Sequence, residues 1–105
     1  MLRIDQLRLM PGEDESVLAA RAAKVLQLQP KELLSCRLYR RSIDAREGVC
    51  FICSVLVGVK NEEKVLKRCR SRHVSKAEKQ HYAPPHPISA PAVPPVVVGA
   101  GPAGL

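Results

Sequence analysis

"VCFICSVLVGV", Val49–Val59, decides the fold. Side chains on a strand alternate between faces. One face then carries Val49, Phe51, Cys53, Val55, Val57 and Val59, wholly apolar and suited to a core. The other carries Cys50, Ile52, Ser54, Leu56 and Gly58. The run is the longest apolar stretch in the chain and is too short to cross a bilayer. Its second face is not wholly polar. With helices on one side of the sheet this face is left free, and Ile52 and Leu56 read either as scattered surface apolars or as a docking face for another domain.

The neighbouring segments fit around this strand. Gly48 breaks the chain just before it, and "SCRLYRRSIDARE", Ser35–Glu47, reads as a second extended segment, so the two form a hairpin. Further upstream, "PGEDESVLAARAAKVLQLQP" reads as a helix. Pro11-Gly12 makes the turn, and Glu13, Asp14 and Glu15 crowd the positive end of the helix dipole. Leu18, Ala22, Val25 and Leu26 form one buried stripe, and Pro30 stops the continuation. "PKELL" can add one short helical turn. The N-terminal "LRIDQLRL" alternates through Leu2 and Ile4, then changes phase at Leu7 and Leu9, which predicts a strand with a bulge near Gln6.

Downstream of the central strand, "NEEKVLKRCRSR" predicts a second helix. Asn61 is placed to cap it, Glu62 and Glu63 open it, and Arg70 and Arg72 close it, with Val65, Leu66 and Cys69 as a narrow apolar stripe. "HVSKAEKQHY" is a candidate polar edge strand. The order β-α-β-β-α-β predicts an α+β domain, a ferredoxin-like sandwich with both helices on one face of an antiparallel sheet. It occupies residues 1–82 and is small but large enough to fold alone.

Residues 83–95, "APPHPISAPAVPP", read as a linker. Proline at Pro84, Pro85, Pro87, Pro91, Pro94 and Pro95 favours polyproline II, about 3.1 Å per residue, or roughly 40 Å when stretched. Residues 96–105, "VVVGAGPAGL", then satisfy G-x-G-x-x-G behind a β-branched run. Each glycine has a reason. Gly99 permits the tight turn, Gly101 lets backbone approach a pyrophosphate, and Gly104 allows close helix packing. The amides of the following helix would hold the anion.

"GAGPAGL" resembles the first nucleotide-binding turn of flavoprotein oxidoreductases. The resemblance runs upstream through "RRSIDAR", Arg40–Arg46, the hairpin strand, "NEEKVLKR" and the proline linker. Together these are similar to the start of a family of bacterial FAD-dependent dehydrogenases of uncharacterised substrate. The resemblance implies that Gly99, Ala100, Gly101, Pro102, Ala103 and Gly104 line the FAD pyrophosphate. It implies a small α+β domain whose partner is the parent's own FAD-binding domain. The sequence ends one residue after the third glycine, without the acidic residue that would meet a ribose about 20 positions on. The expectation is an N-terminal piece that neither binds FAD alone nor catalyses, with a mobile tail.

Other chemistry has weaker support. Cys50 and Cys53 have the C-x-x-C spacing of zinc and redox sites, but on a strand they face opposite ways. The four cysteines are expected to be reduced thiols in a cytoplasmic chain without a targeting segment. A net charge of +7, concentrated between Lys60 and Lys79, raises the alternative of a basic module that binds RNA or another polyanion. Against nucleic acid, the strand's aromatic, Phe51, falls in the core register, and the RNP1 pattern is absent. "RRSIDAR" reads either as a contact with the flavin domain or an anionic ligand, or as local ion pairing at a strand end. No catalytic constellation and no metal set is legible.

Overall fold

The computed structural model describes residues 1–105 as a mixed α/β domain with a four-stranded antiparallel sheet and two helices. The elements in chain order are β1 (Leu2–Leu9), α1 (Val17–Leu26), a 3-10 turn (Pro30–Glu32), β2 (Leu33–Asp44), β3 (Cys50–Val59), α2 (Glu62–Arg68) and β4 (Val74–Lys76). The strand order is β2-β3-β1-β4, so the apolar run β3 lies inside the sheet, between β2 and β1.

One face of the sheet packs on the helices. Leu2, Ile4, Leu7 and Leu9 of β1 join Cys53, Val55, Val57 and Val59 of β3 beneath Leu18, Ala22 and Leu26 of α1, with Val65 of α2 and Val74 of β4 at the side. No polar residue is buried there, so this core incurs no desolvation cost for polar groups. The bulge falls where the phase change put it. Ile4 pairs with Val55 and Leu7 with Cys53, and Gln6 takes a left-handed φ of 63°. Asp5 and Gln6 thus oppose Ser54 alone, and both apolar pairs of β1 keep facing the core. A second register shift, between Leu38 and Arg40 of β2, lies at the same level of the sheet.

Several boundaries differ from expectation for local reasons. Val49 precedes β3 and is 55% exposed, so the core face of this strand begins at Phe51. The acidic trio lies before the first turn of α1 and acts through side chains. Asp14 accepts the Ser16 amide at 2.8 Å, and Glu13 accepts the Met10 amide at 3.1 Å and pairs with Arg21, which also bonds the Arg8 carbonyl. α1 ends in a left-handed Gln27, with Leu28 donating to Ala23 and Gln27 to Lys24, a Schellman closure three residues ahead of Pro30. At the Pro30–Glu32 turn the Glu32 carboxylate accepts from the Gln29 amide at 2.6 Å, and the Glu32 amide donates to the Gln29 carbonyl at 2.9 Å. α2 stops at Arg68, so Lys67 and Arg68, rather than Arg70 and Arg72, occupy its last turn. Asn61 makes no side-chain cap; its carbonyl accepts from Val65 instead. β4 is three residues long, shorter than the polar stretch that suggested it.

After Ala77, whose amide bonds the Met1 carbonyl, no backbone hydrogen bond ties the chain to the domain. The Cα radius of gyration is 19.4 Å, against about 13 Å for a compact chain of this length; the excess reflects this exposed C-terminal stretch. No helix is long and apolar enough to cross a membrane.

Candidate functional site

Two places hold the residues that the sequence singles out, the C-terminal glycine turn and the sheet face opposite the helices. In the turn, Gly99 has φ 96°, outside what L side chains readily adopt. The Gly101 carbonyl accepts from the Gly104 amide at 3.0 Å and the Leu105 amide at 3.1 Å, so a helical turn opens immediately after the second glycine. A Cβ on Gly104 would lie 2.2 Å from the Gly99 carbonyl oxygen, whereas one on Gly101 would meet nothing within 4 Å. The closeness that demands glycine at position 104 is thus within the turn itself. The space over Gly101 is open. Ala100, Pro102 and Ala103 complete the loop with side chains too small to crowd it. The preceding Val96, Val97 and Val98 are exposed and pair with no strand.

The other face of the sheet is built by register. Leu56 of β3 is flanked by Arg3 of β1 and Arg37 of β2, Ile52 by Arg8 and Ser42, Ser54 by Arg40, and Cys50 by Asp44. The bulge of β2 adds Tyr39, whose ring lies 5.5 Å from the Arg3 guanidinium. Ile52 and Leu56 were expected as an exposed apolar stripe. Leu56 is only 9% exposed, with the long side chains of Arg3, Arg37 and Tyr39 gathered around it, whereas Ile52, between Arg8 and the short Ser42, stays half-buried. The cover is cationic.

Two carboxylates share this face and both are engaged. Burial pushes the Asp5 carboxyl up, but hydrogen bonds from Arg3 and Ser54, together with the Arg3 charge, outweigh it and hold the group below its ordinary range. The Arg3 Nε–Asp5 Oδ1 distance is 2.9 Å. Asp44 is held at about 2, first by the Arg46 side chain and then by the Arg46 amide. The contacts are Nη2 to Oδ2 at 2.8 Å, Nε to Oδ1 at 3.0 Å and the amide to Oδ1 at 3.2 Å. Arg37 and Arg40 make no ion pair.

"RRSIDAR" is therefore divided by the sheet. Asp44 and Arg46 lock the hairpin loop. Arg41 crosses to the helix side, 5.1 Å over the Phe51 ring and 3.5 Å from Glu15. Arg40 and Ser42 stay on the uncovered face. Cys50 and Cys53 lie on opposite faces of β3, and burial pushes the Cys53 thiol up, as it does Cys36. Sequence reasoning missed Tyr39. Its only signal is alternation with Arg37 in "RLYR", which the bulge then breaks.

At the β4 end of this face, Arg3, Arg37, Tyr39 and Leu56 line a groove of about 1030 Å³ with Lys76 of β4 and the segment that follows it, which brings Lys79 and His81 to its rim together with Glu78. Residues 1–58, from β1 nearly to the end of β3, match the family described as a domain of unknown function, DUF8436. The chain belongs to that family. The match covers both central strands, the edge strand β2 and α1, and hence all of the arginine-covered face except the β4 rim. No curated protein matches the chain.

Proposed function

We propose that residues 1–82 are a ferredoxin-like accessory domain of an FAD-dependent oxidoreductase, joined by residues 83–95 to a flavin-binding domain whose first strand and turn are residues 96–105. The strand order β2-β3-β1-β4 and the placement of both helices on one face support the ferredoxin-like reading. The observation that carries the functional reading is the glycine turn: left-handed Gly99, open Gly101, and Gly104 with no room for a Cβ. Gly99, Ala100, Gly101, Pro102, Ala103 and Gly104 would hold the FAD pyrophosphate. The flavin supplies the redox chemistry. This chain's residues bind and position, and the small domain docks beside the flavin unit or recruits substrate to it. A turn without the rest of its sheet holds only the pyrophosphate, so residues 1–105 alone bind no FAD.

The test is the polypeptide read onward through the flavin-binding unit. It should purify with stoichiometric flavin absorbance, and Gly104→Val should abolish it. A colourless product that takes up no added FAD overturns the reading.

A second reading is favoured by Tyr39 beside the basic groove: a platform for single-stranded RNA, where an aromatic stacks a base and cations meet phosphates. Filter binding of a uridine oligomer over a salt series decides it. Useful affinity near physiological salt with a steep salt slope supports the RNA platform.

A further inference from the structure

We infer that the uncovered face of the sheet docks a carboxylate-bearing protein surface, that of the domain following the linker, and that ionic contacts rather than an apolar patch hold it there. The inference rests on the proposed tethering to a flavin-binding domain and adds the chemistry of the contact. Three observations carry it. First, Leu56, the most buried apolar residue at the centre of this face, already lies among Arg3, Arg37 and Tyr39, so a partner there meets guanidinium groups before it meets carbon. Second, the charges do not balance. Asp5 is taken by Arg3 and Asp44 by Arg46, while Arg37 and Arg40 have no carboxylate within ion-pair distance. A planar guanidinium fork without a partner is complementary to a carboxylate in a bidentate geometry. Third, the face has the composition of a protein interface. Arginine and tyrosine surround an apolar centre, and both residue types are enriched where binding energy concentrates.

The same features disfavour a phosphate backbone as occupant. The central strands β1 and β3 present no aromatic on this face. Asp5 stands in its middle as a fixed negative charge, and Tyr39 lies on the edge strand with Arg3 close to its ring. A second copy of the chain would set arginine against arginine.

Hydrogen exchange on the polypeptide that includes the flavin-binding unit tests this. In low salt, peptides covering Arg3–Arg8, Arg37–Ser42 and Ile52–Leu56 should exchange about tenfold more slowly than in residues 1–105 alone. That protection should vanish in 1 M NaCl and in an R37E/R40E double variant, and weaken without vanishing in R37K/R40K, which keeps the charge but loses the fork, while flavin absorbance stays unchanged in all of them. Protection that persists in high salt and in R37E/R40E makes the docking apolar and overturns the inference; so does equal exchange in the two polypeptides. Tight binding of a uridine oligomer that protects the same peptides assigns the face to RNA instead. Loss of flavin from the unaltered polypeptide is a different failure, that of the flavoprotein reading, and it is read separately by absorbance.

Discussion

The two faces of β3 bury their side chains to different degrees and by different means. On the helix side, Cys53, Val55 and Val57 are fully buried beneath α1 and among apolar residues of their own sheet. On the other side, Leu56 is 9% exposed, yet its cover is Arg3, Arg37 and Tyr39, side chains with apolar stems and polar tips. The first cover is fixed, because removing it unfolds the domain. The second is exchangeable, because solvated cations can turn outward to a partner without disturbing the sheet. A low exposure such as that of Leu56 therefore does not by itself mark a sealed core: one face makes the domain stable, while the other is covered by side chains that stay in contact with solvent.

Substitutions should separate the faces in a definite order. Val55→Asp puts an unpaired carboxylate into the sealed side and should cost about 4 kcal/mol or more, comparable to the whole stability of a domain this small; the cooperative urea transition should be lost. Leu56→Ala, on the same strand one residue away, should cost about 1–2 kcal/mol, below the 2–5 kcal/mol typical of a rigid core, because flexible arginine stems collapse into the space. Urea midpoints measure both; a Leu56→Ala penalty as large as that of Val55→Ala would erase the distinction between the faces. R37E/R40E should change stability by no more than about 0.5 kcal/mol per site, since neither side chain has an ion pair to lose. A larger loss would mean that these arginines hold the fold.

The helix-side face was legible in the sequence because strand alternation and helical spacing repeat an apolar signal at every second, third or fourth residue. The bulge at Gln6 was legible for the same reason, since Leu7 and Leu9 break an apolar phase set by Leu2 and Ile4. The bulge between Leu38 and Arg40 had no such phase to break, because β2 is an edge strand with polar residues on both sides. The arginine cover of Leu56 was not legible, because it depends on which residues of β1 and β2 come to lie beside β3, a matter of register rather than local pattern. The end of α2 was obscured by its basic tail, which prolongs the composition of a helical end beyond the hydrogen bonds of the helix. The motif spacing predicted close helix packing at Gly104, whereas the steric demand there comes from Gly99 and Ala100 within the turn itself, which spacing alone does not reveal.

Acid should act on one face only, and by a small amount. The helix-side core holds no carboxylate, whereas the other face holds Asp5 and Asp44, both lowered. A carboxylate depressed in the folded state stabilises it above the ordinary value and loses that contribution as pH falls through the folded value. For Asp44 this window runs from its ordinary 3.8 down to about 2. Asp44→Asn should therefore lower the thermal midpoint slightly at neutral pH, by progressively less below pH 4, and not at all once the pH is well below 2. Asp14, lowered by the Ser16 amide at the start of α1, titrates in the same direction from outside the sheet. A D5N/D44N double variant should accordingly lose most, but not all, of the acid sensitivity of the midpoint between pH 4 and pH 2. If it retained the whole of that sensitivity, the hydrogen bonds that occupy the two carboxylates on the uncovered face would be energetically silent. The charge imbalance that leaves Arg37 and Arg40 free for a partner would then extend to Arg3 and Arg46 as well.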